Sequence, residues 1–178
     1  MARVKLIEPE ECPDQSALIE RIRKGRRGTV INVYKTLMHN PDIASVWLDL
    51  VNVVRWKVAL DDRLREIVIV RVGYLNRCPY VVNQHVPELT TPAGLTKAEC
   101  DALADWQSAT CFSARERAAL AYADAMSRDI DVPDAVFAAL RSHLDERQIV
   151  ELTVLIGVYN MHTRVGQALQ IDPEPHHL

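Results

Sequence analysis

The stretch from Ile67 to Val72, reading IVIVRV, is apolar at every position except Arg71. Taken alone, such a run of β-branched side chains prefers a strand, because branching at Cβ stiffens χ1 and suits a pleated surface. The segments around it, however, carry apolar residues three and four apart, the spacing of amphipathic helices. A single strand among helices would leave its backbone N–H and C=O groups without partners. The run is therefore expected to be a helix, apolar around most of its circumference, and such a helix belongs in the middle of a helical core or at an oligomer interface. This makes the chain all-α, a bundle of about seven or eight helices.

The flanking sequence supplies the rest of the bundle. Residues 1–13, with Pro9 and Pro13, read as an extended N-terminal arm ahead of a helical domain over 14–170, and 171–178 (IDPEPHHL) as a flexible tail. Asp14 or Ser16 can cap a first helix running to about Lys24, where Gly25 and Gly28 interrupt the pattern. Val30, Ile31, Val33, Tyr34, Leu37 and Met38 predict a helix from Thr29 that ends before Asn40-Pro41, and another begins near Pro41. Thr96 to Glu99 and Ser113 to Glu116 each form a capping box, the first heading a helix to about Gln107. Pro133 opens a short helix through Leu140, and Asp145 opens the last long one. Glu66 and Tyr74 are spaced as Glu151 and Tyr159 are, which suggests two similar helices lying side by side.

Charge and cysteine usage narrow the function classes. A net charge of −3 over 178 residues gives no electrostatic case for nucleic acid or an anionic membrane surface. The one dense basic stretch, RIRKGRR from Arg21 to Arg27, reads as a solvated helix end. No apolar run approaches the ~18 residues of a membrane span. Cys12, Cys78, Cys100 and Cys111 are scattered, with no Cys-x-x-Cys and no secretory leader, so a cytoplasmic protein with reduced thiols is expected. No metal is expected either, since no two of the six histidines are spaced as ligands within a helical stretch.

Chemistry-bearing residues gather between Glu66 and His85. Cys78 precedes Pro79, a residue suited to the first position of a helix, so Cys78 is the expected N-cap. At that place the positive end of the helix favours thiolate, although an isolated cysteine is most often a small buried hydrophobe. His85 lies seven residues further, close to two helical turns, with Val81 between them on the same face. Glu66, if buried, must be paired; a salt bridge to Arg63 or Arg71 is the plain reading, and a proton relay with His85 the functional one.

A glutamate, Cys-x-x-Cys twelve residues on, and His four after the second cysteine resembles the signature of the alkylhydroperoxidase AhpD, within the carboxymuconolactone decarboxylase superfamily. Glu66, Cys78 and His85 match it in type and spacing, while Val81 replaces the second cysteine. Tyr80 alone survives of the Tyr-Glu pair frequent in the decarboxylase branch. The likeness extends through Arg115–Arg117 and 149–160, covers most of residues 25–170, and implies an AhpD-like helical arrangement in trimers or hexamers.

The resemblance implies Glu66, Cys78 and His85 as catalytic candidates, with Tyr80, Val81 and Gln84 as the substrate-binding ones. A dithiol peroxidase needs one sulfur to attack and a second to resolve the sulfenate, so AhpD-type turnover is not expected here. The favoured reading is a cofactor-independent lyase or isomerase acting on a small carbonyl or carboxylate compound. In it His85 serves as acid/base, Glu66 orients it, and Tyr80 donates to the substrate oxygen. The alternatives are a single-cysteine peroxidase at Cys78 resolved by an external thiol, and a non-catalytic oligomeric binding module.

Overall fold

The computed structural model describes residues 1–174, and among them are nine α-helices and no strand. They are α1 (Ser16–Gly25), α2 (Asn32–Leu37), α3 (Pro41–Trp56), α4 (Asp62–Leu75), α5 (Pro79–His85), α6 (Lys97–Ala102), α7 (Ala114–Asp124), α8 (Asp134–Arg141) and α9 (Glu146–Leu169). The β-branched run is helical, inside α4, and Ile67, Val68, Ile69, Val70 and Val72 are all fully buried. Burial of each is worth about 1.5–3 kcal/mol, which outweighs the few tenths of helix propensity lost to branching. Helices α5, α7 and α9 pack around α4, so it has no solvent face.

Local chemistry sets the ends of these helices. The Asp61 carboxylate accepts from the Leu64 N–H at 2.9 Å to start α4, and Asn40 does the same for Ile43 at the head of α3. Both expected capping boxes form, at Thr96/Glu99 and Ser113/Glu116, and a third, Asp145/Gln148, opens α9. Two expected helices are shorter than their apolar patterns. Arg27 and Gly28 adopt positive φ (56° and 83°) and Ile31 is extended, so α2 starts only at Asn32. The helix at Thr96 gives way after Ala102 to a 3-10 turn over Leu103–Asp105.

A buried ion pair clamps α4 to α7. Both nitrogens of the Arg71 fork reach Asp124, at 2.6 and 2.7 Å, and its remaining donors go to the carbonyls of Leu103 and Ala104. Gly73 allows the close approach of α5, since a Cβ there would meet Val82 Cγ2 at 3.0 Å.

Helices α4 and α9 do lie side by side, but their matched glutamates differ in role: Glu151 accepts from the Ala59 N–H, whereas Glu66 pairs with His85. The arm is tied on by the Arg3 N–H to the Leu169 carbonyl and by the Ile7 N–H to the Lys35 carbonyl. Ile171 is buried in the core, whereas the tail from residue 175 onward lies outside the described residues. No described helix is long and apolar enough to cross a membrane.

Candidate functional site

Four helices converge on one cavity. Its volume is ≈ 80 Å³, and α5 supplies its Tyr80, Val81, Gln84 and His85 walls. From α3 come Arg55 and Trp56, and from α9 Tyr159 and His162. Arg26 and Arg27, in the turn after α1, complete a rim with three guanidinium groups.

Behind the cavity, His85 Nδ1 lies 2.5 Å from Glu66 Oε2 in a buried hydrogen bond. The other Glu66 oxygen faces Arg65 Nε at 3.5 Å and Arg55 Nη2 at 3.9 Å. The expected partners, Arg63 and Arg71, are spent elsewhere: Arg63 on Glu99 and Glu116, Arg71 on Asp124. On α4 those two arginines reach toward α6 and α7, so the carboxylate is compensated instead by its neighbour Arg65 and by Arg55 of α3.

Burial works to raise the Glu66 carboxyl, but His85, Arg55 and Arg65 outweigh it and hold the group below its ordinary value. Burial pushes the His85 imidazole the other way, below 6.5, and Glu66 offsets this only in part. At neutral pH the pair is thus a carboxylate and a neutral imidazole. The hydrogen-bond network assigns the proton to Nδ1, directed at Glu66, which leaves the Nε2 lone pair available. The Tyr159 hydroxyl stands 3.4 Å from Nε2, too long for a strong bond. Burial raises that phenol to about 12, so it remains protonated. The His162 ring stacks on Tyr159 at 5.7 Å, and burial pushes it to about 3.

Cys78 takes a different place. It is the N-cap of α5 as expected, with φ −105° and ψ 88°, but its side chain makes no capping hydrogen bond. Because this residue is outside the helix proper, the two-turn reckoning that put it on the His85 face does not apply. The sulfur packs against Gly166 of α9, whose added Cβ would sit 3.3 Å away. The hollow it lines, with Arg77, Val82 and Asn83, is separate from the one His85 lines. Burial raises the thiol above 9.0 despite the opposing pull of the Val81 and Tyr80 amides, so the expected thiolate bias is absent. The structure therefore joins Glu66, His85, Tyr80, Val81 and Gln84 and leaves Cys78 apart.

Val81 stands in the cavity wall, one turn from His85, where the motif's second cysteine would be. Arg55 and Tyr159 complete the site although sequence reasoning had placed neither there. A lone arginine inside the apolar VNVVRW of α3 was the legible signal for the first. Tyr159 and His162, three apart on α9, share a helix face and so were the signal for the second.

An all-α arrangement with a Glu-His couple facing a small cavity defines an AhpD-like fold. Residues 41–125 match the carboxymuconolactone decarboxylase family. An uncharacterized protein, YnjA, from Escherichia coli is 32% identical over 129 residues, 72% of this chain and 68% of its own. The chain belongs to the carboxymuconolactone decarboxylase family. A solved structure of an Agrobacterium tumefaciens protein of unknown function, grouped with the antioxidant defence protein AhpD, superposes with TM-score 0.74 at 26% identity, over 78% of this chain and 95% of that one. An uncharacterized peroxidase-related protein from Silicibacter gives TM-score 0.83 at 24% identity over 99% and 93% of the two chains, a likeness of fold.

Proposed function

We propose that the protein is a cofactor-independent lyase or isomerase of a small carbonyl or carboxylate compound, working by proton transfer at His85. One observation carries this: a neutral imidazole, fixed by Glu66 at 2.5 Å, presents Nε2 to a cavity from which the motif's sulfur is missing.

In an isomerisation, Nε2 takes the proton from the carbon beside a carbonyl. The C–H electron pair moves into the enolate, and His85 returns the proton at another position. In a decarboxylation, the C–C bond breaks as CO2 leaves, and the carbanion is protonated by His85, which first takes up one proton from solvent to become the imidazolium. Glu66 stabilises the imidazolium in both cases, and the cationic rim of Arg26, Arg27 and Arg55 favours a negatively charged substrate.

The single-cysteine peroxidase reading is weakened by the position and raised pKa of Cys78. The discriminating experiment incubates the protein with carboxymuconolactone and simpler lactone acids in D2O and follows product and carbon-bound deuterium by NMR. Wild type and C78S should turn over alike, and H85A should lose about 10²–10⁴-fold. Turnover that needs Cys78 and survives H85A would overturn the proposal.

A further inference from the structure

Beside the His85 cavity the chain folds one of its own carboxylates onto a set of donors. Glu174 Oε1 accepts from the Asn32 N–H at 2.6 Å and from the Tyr80 hydroxyl at 3.1 Å, and Oε2 accepts from the Gln84 amide. Tyr80 and Gln84 are 2% and 6% exposed, and both line the cavity. Neither donor is free to turn away. The Tyr80 oxygen also accepts from the Val33 N–H at 3.2 Å, and the Gln84 carbonyl accepts from Arg27 at 3.2 Å, which fixes its NH2 toward Glu174.

We propose that the Tyr80–Gln84 wall is a carboxylate-binding subsite of this cavity, held in the free protein by Glu174 and surrendered to the carboxylate of an incoming ligand. This rests on the reading above for the ligand's class and adds where its charged end sits.

Three further features point the same way. Ligand pockets commonly enclose about 300–1,000 Å³, and this cavity encloses ≈ 80 Å³, so a ligand must displace something to enter. The strap that carries Glu174 is anchored just short of it, by buried Ile171, by the Asp172 carbonyl on Asn32 Nδ2 at 2.9 Å, and by the Asp172 carboxylate on the Ala2 N–H. Glu174 can therefore swing out without unseating the chain before it. Finally, Arg55 is 6% exposed and lines the cavity, yet its Nε and Nη2 have no hydrogen-bond acceptor among the described residues. The interior thus has unused capacity for negative charge beyond what Glu66 supplies.

Isothermal titration of the full chain with benzoate, and with uncharged benzamide as control, tests the assignment. A tethered competitor acts at high effective concentration, so E174A should bind benzoate about tenfold more tightly than wild type, with benzamide unchanged. Adding Q84L or Y80F to E174A should abolish the gain, and circular dichroism of each variant checks that the helices persist. Equal benzoate affinity in wild type and E174A, no benzoate binding in either, or an equal gain for benzamide would overturn it. Because the readout is binding, it is separable from turnover: a benzoate gain without His85-dependent chemistry leaves the subsite standing and removes only the proposed reaction.

Discussion

At the scale of single residues, environment decides more than identity. Cys78 is 1% exposed with a raised pKa, whereas Cys111 is exposed. Iodoacetamide followed by mass spectrometry should therefore label Cys111 first and Cys78 slowly, the reverse of what an N-cap thiolate predicts. Rapid labelling of Cys78 in the folded protein would revive the redox reading. The two cavity histidines make a separate prediction about acid. Both have folded pKa values below 6.5, His162 at about 3. Below pH ~6.5 the unfolded chain gains protons that the folded chain refuses, so their contribution to stability is complete above that pH and lost as it falls. Urea midpoints should drop between pH 7 and pH 5, and H162F, which keeps a ring against Tyr159, should flatten that slope.

At the scale of elements, helix starts were the most legible features, because a cap is local chemistry. Asn40-Pro41, Thr96/Glu99, Ser113/Glu116 and Asp145 each start a helix where the sequence places one. Helix α4 was legible only through its neighbours and the family resemblance, since its own residues favour a strand and burial on every side decides the outcome. The Glu66–His85 pairing was expected only as the functional alternative to a salt bridge with Arg63 or Arg71, on the strength of the family motif, and the structure forms it. Of the two cations facing Glu66, Arg55 was not legible, because it belongs to another helix and no local rule links them. The same holds for Cys78, whose direction depends on the cap dihedrals rather than on helical periodicity. The clamp between α4 and α7 gives the element-scale prediction. Replacing Arg71 by Met leaves Asp124 with only Trp106, Gln107 and the more distant Arg128 as partners and should cost about 3 kcal/mol by chemical denaturation. A double replacement of Arg71 and Asp124 by apolar residues should recover much of that loss.

For the whole molecule, one helix face stands out. Ile43, Val46, Leu50, Val53 and Trp56 run along α3 and are 37–68% exposed, three or four residues apart. We propose that this stripe meets a second copy of the chain, in a trimer or hexamer of the kind the resemblance implies. Sedimentation should show an oligomer for the wild type and a smaller species for V46E/V53E, and a monomeric wild type would refute it. Trp56 belongs to both the stripe and the cavity wall, with its ring 4.4 Å from the Arg55 guanidinium. Assembly and ligand entry would then be felt by the same side chain.

The methyl groups of Val81 carry a consequence for life under oxidants. A thiol at that point of the wall would meet peroxide with every encounter, and sulfinic acid is, with rare exceptions, a dead end. Here that point of the wall is hydrocarbon, so the proton chemistry proposed for the imidazole and its carboxylate would persist through a dose of oxidant that would silence a thiol.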